Sequence, residues 1–452
     1  MIGILKLRIA MLMMVALGSA ANCFGRQVDQ NPLTVDPQQS ELELNPTVGI
    51  PLSTSPETTP GPEVPGIYQD IPQFGGPTSV GGQLAEDAAI TPEFRMQGLQ
   101  DRFQPWFKFK ERLNENRNLQ FNIDESMFFQ VASQSPGESH AASGLVRVYG
   151  QWEPFRKCCS NRGMLVFKGE NRHRMGTEIT PFELGFEAGS IVPTGTFFSE
   201  FSFGVTNLYW KQYLFDDRLA IAIGEIDVTD FVDPYALMNP LTHFINLSFS
   251  TNPTIAVPNQ GLGVAAGGML TDRIYLQGGF SDANGQPTTA GFNTFFDDSE
   301  YFSYVELGVT SSKDRLFLDN VHVTLWHTDD RQVAQTPEGY GVAFSAEKFV
   351  CDKWLPFFRF GYSDGDAALL QTVFSTGLGL QRENRDVAGI GFSWGKPADG
   401  TLRDQFTSEA FYRFQLTQFL AITPDVQLVV DPAINPTVDM LAFFGIRLRA
   451  AF

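Results

Sequence analysis

Charged side chains at alternate positions are the residues of this chain best suited to binding chemistry. Lys168, Glu170 and Arg172 recur with a period of two, and Glu183 and Glu187 are spaced so that one face of a strand would carry both. Guanidinium and carboxylate groups offer donors and acceptors in fixed geometry, which suits weak binding of a hydroxyl-bearing solute. We interpret these five residues as candidate binding residues, the alternative being ordinary charges on a polar face.

The histidines argue against catalytic chemistry. His322 and His327 are five residues apart in a strand-like segment, so their side chains point to opposite faces. We find no Cys/His cluster with metal-ligand spacing and no Gly-rich phosphate-binding loop. The sequence therefore predicts neither an enzyme nor a metal or cofactor site. The complete set of histidines is His140, His173, His243, His322 and His327.

The last segment shows which kind of element positions these residues. Every second residue back from the C-terminus is apolar, while the interleaved positions include Arg449, Arg447 and Gly445. This period-two pattern is long enough for a transmembrane β-strand. An edge strand of a soluble sandwich is the alternative. The apolar set is Phe452, Ala450, Leu448, Ile446, Phe444, Ala442 and Met440.

Composition excludes several classes of protein. The chain has 452 residues and a net charge of −19, which disfavours nucleic-acid binding because phosphates are bound by Lys and Arg. Its four Cys are too few for a disulfide-dense scaffold. The 41 Phe and 42 Gly favour strands, turns and an apolar outer surface.

The N-terminus has the pattern of a secretory signal peptide over residues 1–25. Lys6 and Arg8 precede an apolar run at 9–18 that is too short to span a bilayer, and small residues follow up to Ala21. Lipidation at Cys23 is an alternative that the preceding Asn22 disfavours. No apolar stretch of 18 residues follows, so the sequence contains no further candidate for a transmembrane helix.

Residues 26–94 are predicted to be a disordered, acidic, Pro-rich linker. After Arg26 this stretch contains 11 Pro, ten acidic residues and no Lys or Arg, without helix or strand periodicity. The mixed segment 95–118, with Phe103 and Trp106 among Lys and Arg, is interpreted as an interfacial helix or as a plug that precedes the barrel.

From residue 95 to residue 452 we predict an all-β domain. Strands with one apolar and one polar face must close into a ring, because unpaired backbone groups are not tolerated in lipid. The length predicts a transmembrane antiparallel β-barrel of about 16 strands, a size that leaves an aqueous channel.

One long stretch resembles the OprB-like carbohydrate-selective porin family. The matching pieces are Leu-Tyr-Trp at 208–210, Asp-Pro-Tyr-Ala-Leu-Met-Asn-Pro at 233–240 and Asn-Pro-Thr-Ile-Ala-Val-Pro at 252–258. Further segments that resemble the family's sequences lie at 167–174, 416–432 and 445–449. The resemblance implies a 16-stranded outer-membrane barrel that passes small sugars by passive diffusion through a channel narrowed by charged and aromatic residues.

Under this interpretation the five charged candidates face the lumen. Trp326, which alternates with apolar neighbours, is either a sugar-stacking residue or part of the lipid-facing aromatic girdle, and the girdle is favoured for Trp394. The loops at 233–240 and 252–258 either fold inward and constrict the pore or only rigidify its rim.

The expected partners are small sugars, outer-membrane lipid and the barrel-assembly machinery, whose C-terminal recognition signal the strand ending at Phe452 resembles. No nucleic acid is expected, and the sequence is compatible with a monomer or a homo-oligomer. Two alternative functions stay open: a general or weakly cation-preferring porin, and a barrel that anchors the envelope through the linker. In an oxidising compartment Cys158 or Cys159 could pair with Cys351, and the sequence leaves the disulfide state of these three cysteines open.

Overall fold

The structure, a computed structural model, describes residues 74–90, 95–155, 161–332, 334–382 and 386–452. The predicted signal peptide and most of the predicted linker lie outside these residues. Within the described ranges, no helix combines the length and the apolar character needed to cross a bilayer.

Sixteen antiparallel strands form one closed barrel, in which each strand pairs with its neighbours in sequence and β1 pairs with β16. The predicted fold and strand number are confirmed. The strands are β1 Leu119–Ala132, β2 His140–Trp152, β3 Arg162–Arg174, β4 Phe201–Leu214, β5 Leu219–Ile226, β6 Gly261–Met269, β7 Ile274–Asp282, β8 Tyr301–Thr310, β9 Asp319–Thr328, β10 Gly339–Lys348, β11 Trp354–Asp364, β12 Leu370–Gln381, β13 Val387–Pro397, β14 Gln405–Gln415, β15 Leu420–Val430 and β16 Met440–Ala451.

Alternation along the strands separates the outside of the barrel from its lumen. In β16 the side chains of Phe444 and Ile446 are 55% and 45% exposed on the outer face, whereas those of Arg447 and Arg449 are buried inside. The outer face is apolar and the inner face is polar, which is the arrangement of a strand between lipid and a hydrophilic lumen. The alternation read from the C-terminal residues is therefore confirmed.

The connections differ between the two ends of the barrel. Connections from odd-numbered to even-numbered strands lie at one end, and they include the long segments 175–200, 227–260 and 283–300. The opposite end carries short connections such as 215–218 and 270–273. We call these the long-loop end and the short-turn end.

The segment 227–260 between β5 and β6, called the β5–β6 segment, is buried inside the barrel. It contains a short helix at Leu247–Ser250, and its aromatic residues Phe231, Tyr235 and Phe244 are fully buried. Its backbone bonds to the wall: the amides of Ile245 and Asn246 donate to the carboxylate of Glu409 at 2.7 and 2.8 Å. The predicted loops at 233–240 and 252–258 both belong to this segment and therefore lie within the lumen.

One predicted strand is a helix. Helix α3, Pro181–Ala188, replaces the alternating strand expected around Glu183 and Glu187. Thr180 and Glu183 form a reciprocal capping box, Pro181 occupies the first turn, and Gly189 ends the helix with a φ of 117°. These local signals at both ends stabilise a helix, although the apolar residues also alternate with period two.

Two further helices precede the strands. Helix α1, Val80–Ala89, lies within the stretch predicted to be disordered, so that prediction is wrong for these residues. The reason is tertiary: the helix is buried against other parts of the chain, as described below. Helix α2, Gln97–Arg117, lies at the short-turn end, where Phe103 packs on Phe419 and Phe452 with centroids 4.6 and 5.0 Å apart. Of the two interpretations of the segment 95–118, the helix is the one that the structure contains.

Cys351 is disulfide-bonded. The other three cysteines of the chain lie outside the described residues. Whether Cys158 or Cys159 is the partner of Cys351 therefore stays open.

Candidate solute channel

Three of the predicted charged residues form a ladder on β3. Lys168, Glu170 and Arg172 point into the barrel and are 3%, 2% and 8% exposed. Arg172 donates from Nη2 and Nε to Oε2 of Glu170 at 2.7 and 3.0 Å. Lys168 Nζ lies 3.9 Å from both Glu170 Oε1 and Asp230 Oδ2. The strand period brings these charges together on one inner face, as the sequence predicted.

Aromatic rings border this ladder. The guanidinium carbon of Arg172 lies 5.1 Å from the ring centre of Phe197 and 4.7 Å from that of Phe201. A planar cation over aromatic faces combines polar donors with an apolar surface at one position.

Glu183 and Glu187 lie apart from the ladder. Both are exposed on α3 in the connection between β3 and β4. Glu183 accepts hydrogen bonds from the backbone amide and the hydroxyl of Thr180, both at 2.8 Å. Its carboxylate is used to begin the helix, a role that only the cap sequence at positions 180–183 could have indicated.

The aromatic candidates Trp326 and Trp394, and the aromatic pair of the matching piece at 208–210, divide between the two faces of the wall. Trp326 and Tyr209 point inward and are 3% and 2% exposed, whereas Trp210 and Trp394 belong to the outer face. Trp326 stacks on Phe302 at 6.3 Å with an interplanar angle of 18°. Its indole Nε1 has no hydrogen-bond partner among the described residues.

An ion-pair network across β1, β2 and β16 was missed in the sequence. Arg147 Nη2 and Arg449 Nε each donate to Oδ2 of Asp124 at 2.7 Å. All three residues are buried in the lumen. Their alternation with outward-facing apolar residues indicates that they point into the lumen. That β1 lies beside β16 follows only from closure of the barrel.

A second network attaches the β5–β6 segment to the wall. The carboxylate of Asp233 accepts from Arg359 Nη2, from Nε2 of His322 at 2.8 Å and from Oγ of Ser345 at 2.8 Å. The Asp233 amide in turn donates to Glu306 at 3.0 Å. This arrangement places the predicted loop at 233–240 against β8, β9, β10 and β11.

Little space remains at this attachment. A cavity of about 10 Å³, lined by Asp233, Arg359 and residues of the β5–β6 segment, lies beside it. That volume is about what a single water molecule requires. Asp233 therefore joins the loop to the wall through direct contacts.

At the short-turn end, Lys110 of α2 contacts the inner face of β1. Its Nζ donates to Oδ1 of Asn122 at 2.5 Å. Burial lowers the pKa of Lys110 to about 8, and the carboxylate of Asp87 in α1 opposes part of this shift. No periodicity in the sequence indicates this contact between Lys110 and Asn122.

Comparison with known proteins matches this architecture. Residues 173–452 match the family described as carbohydrate-selective porin, OprB family. The chain belongs to this family. As a member of it, the porin is an outer-membrane protein, and both its family and its fold are those of channels.

Individual relatives are distant. The porin is 22% identical over 279 residues to Porin AaxA of Chlamydia pneumoniae, and 23% identical over 270 residues to Porin AaxA of Chlamydia trachomatis. These matches cover 58% and 56% of this chain, and the chain spans only 63% and 55% of the two relatives.

A solved structure shares the fold. The high-pH structure of Pseudomonas putida OprB has a TM-score of 0.63 at 13% identity, covering 77% of this chain and 97% of that chain. In outer-membrane barrels short turns face the periplasm and longer loops face outward, which assigns the two ends of this barrel.

Proposed function

We propose that this porin lets small sugars diffuse passively across the outer membrane through the lumen of its barrel. Family membership supports the carbohydrate class. Passage needs weak and repeated contacts, because a site that binds too tightly retains the solute. Hydroxyl groups exchange water for polar side chains, while the C–H faces of the ring lie on aromatic side chains.

The observation that carries the proposal is an aromatic patch with unused donors on β8 and β9. Phe302 stacks between Tyr304 and Trp326, with ring centres 6.4 and 6.3 Å away. The Tyr304 hydroxyl and the Trp326 indole N–H are buried and have no partner among the described residues. Buried donors normally have a partner, so these two are suited to a hydroxyl-bearing solute.

The charged ladder on β3 would extend this path. Glu170 offers a carboxylate and Arg172 a guanidinium fork, the two groups that can accept from and donate to a sugar hydroxyl. Both point into the same lumen as Trp326. We propose these residues, with Lys168, as channel-lining residues, whereas Glu183 and Glu187 would act only at the outer mouth.

The test is permeation by matched solutes. Liposomes containing the purified porin should swell faster with glucose than with an amino acid of similar size, and glucose should reversibly lower conductance in planar bilayers. Equal permeation governed by size alone would show a general porin instead.

Matched variants test the aromatic patch. Trp326→Leu should weaken the effect of glucose on conductance, because it removes an inward ring and its donor. Trp394→Leu should leave that effect unchanged, because this indole belongs to the outer face and donates to Asp404 at 3.2 Å. Equal effects of the two substitutions would contradict the proposal.

The remaining assignments are also proposals. We propose that residues 1–25 export the chain, that lipid surrounds the apolar face and that the strand ending at Phe452 is read during barrel assembly. Deleting residues 26–73 tests the envelope-anchoring alternative: unchanged transport with a detached envelope would support it. Cross-linking in native membranes distinguishes a monomer from a homo-oligomer.

A further inference from the structure

Residues 74–90, called the lumen segment, cross the inside of the barrel near its short-turn end. At its start, Phe74 packs into the space beside Gly267 of β6, and its carbonyl accepts from Lys211 of β4. At its end, Glu86 and Asp87 reach β14 and β16. Most of the segment is buried, with Val80 at 0% and Gln83 at 1% exposure.

The lumen segment lies directly against the β5–β6 segment. Gly76 donates to the carbonyl of Asp230 at 2.6 Å, and Phe74 packs on Phe231 with ring centres 5.1 Å apart. Together the two segments narrow the lumen at this level. Displacing one of them would widen the path of a solute that crosses the barrel here.

The lumen segment is the one suited to leave. The β5–β6 segment is continuous with a wall strand at both of its ends, whereas the lumen segment precedes the first strand of the barrel. Its contacts with β14 and β16 are made by the carboxylates of Glu86 and Asp87, and a solute that carries a carboxylate offers the same group to the same donors.

The wall provides a complete cradle for the carboxylate of Asp87. Arg449 donates to it from Nη1 at 2.7 Å and from Nη2 at 3.1 Å. The Tyr149 hydroxyl donates at 2.7 Å and Nδ2 of Asn122 at 2.8 Å. All of these donors belong to the barrel wall, so they stay in place when the carboxylate departs.

The cradle for Glu86 is only partly used. Arg413 Nη1 donates to Glu86 Oε1 at 2.9 Å, with Asn239 and Thr242 near the other oxygen at 3.4 and 3.3 Å. The Nε and Nη2 groups of the buried Arg413 have no partner among the described residues. A buried guanidinium with unused donors favours a further acceptor, because unpaired buried donors are costly.

We propose that the lumen segment is a plug and that the cradles of Arg413 and Arg449 bind sugar acids, whose carboxylate replaces that of Glu86 or Asp87. This inference deepens the proposed sugar-porin function and rests on it. Neutral sugars lack the carboxylate and do not compete for the cradles. Binding of a sugar acid therefore releases the plug, and the solute itself opens its path.

The first test measures release of the plug in the full-length porin. Val80→Cys places a thiol in the plug at a position that is 0% exposed, and Ala343→Cys places one at an equally buried position in the wall. Maleimide labelling of each variant is compared with that of the parent chain, which sets the background of the native cysteines. Sodium gluconate should accelerate labelling of V80C but not of A343C.

Two solutes separate competition from general effects. Glucose at the same concentration and sodium chloride at the same ionic strength should leave V80C labelling unchanged. If gluconate has no effect, or if sodium chloride matches it, the inference is overturned, because the carboxylate is then not a specific competitor.

A charge-neutralising pair of substitutions provides the second test. Glu86→Gln with Asp87→Asn should raise basal V80C labelling by about tenfold, which corresponds to about 1.4 kcal/mol of lost attachment. The matched control is Glu111→Gln with Glu115→Gln, an equal change of charge on the exposed face of α2. Equal labelling of the two double variants would overturn the inference. If the first double variant fails to insert, the gluconate response of V80C decides alone.

These readouts do not depend on neutral-sugar transport. A porin that passes glucose selectively but shows no response of V80C to gluconate keeps the proposed function and loses this inference. A porin without selectivity for glucose loses the proposed function, and with it the inference.

Discussion

Replacing Asp233 by Asn should loosen the β5–β6 segment and destabilise the barrel. The side chain of Asp233 is 2% exposed and accepts from Arg359, His322 and Ser345. Removing one partner of a buried ion pair typically costs about 3–5 kcal/mol. Arg359 keeps its bonds to the carbonyls of Phe249 and Thr251, at 3.2 and 2.8 Å, so we expect the lower value, about 3 kcal/mol.

A second Asp→Asn substitution gives a matched control. Asp431 also has a left-handed backbone, with φ at 56° against 48° for Asp233, and Asn tolerates that conformation. Its pair with Arg403 is 3.8 Å long, and the two side chains are 28% and 29% exposed. The cost of Asp431→Asn should therefore stay below about 1 kcal/mol.

The assay is reversible urea unfolding in phospholipid vesicles, followed by tryptophan fluorescence and by the electrophoretic mobility of the unheated barrel. Asp233→Asn should lower the unfolding free energy by the larger amount and increase open-channel current noise, since the β5–β6 segment loses its anchor. A loss no greater than that of Asp431→Asn would refute the assignment of Asp233 as the anchor.

Three further predictions concern the periphery of the barrel. Thr180→Ala should destabilise α3 by about 1 kcal/mol through loss of its cap, seen as faster amide exchange at Glu183, whereas Glu187→Gln should not change that exchange. Because the pKa of Lys110 is about 8 in the folded porin and about 10.5 in the unfolded chain, the unfolded state binds more protons between these values. Stability should rise over that pH window, as measured by urea midpoints, and Lys110→Met should abolish this rise. Phe452→Ala should reduce the amount of barrel assembled in the outer membrane, because it removes the ring that packs on Phe419 at 4.9 Å, whereas Phe452→Tyr should retain it.

Much of the wall could be predicted because a strand is a local pattern. In β16 the side chain of each residue points away from that of the next, so Phe444 and Arg447 reveal their faces without knowledge of the rest of the chain. The same rule placed Lys168, Glu170 and Arg172 on one inner face of β3.

Prediction failed where two local patterns competed. Residues 182–188 alternate as a strand does, yet Phe182 and Phe186 are also one helical turn apart, with rings 5.9 Å from each other. The capping box of Thr180 and Glu183 decides in favour of the helix, so the turn chemistry outweighs the hydrophobic period.

The amino-acid sequence alone determined that this chain builds a closed barrel with an apolar exterior. Apolar and polar side chains alternate within each strand, and each strand's backbone groups must be paired in lipid. Only the tertiary structure decided what occupies the lumen. The contacts of Glu86 with Arg413 and of Asp233 with Arg359 join residues 327 and 126 positions apart, and no local period relates them. Closure of the barrel brings such residues into contact, and their ion pairs then hold these segments within the lumen.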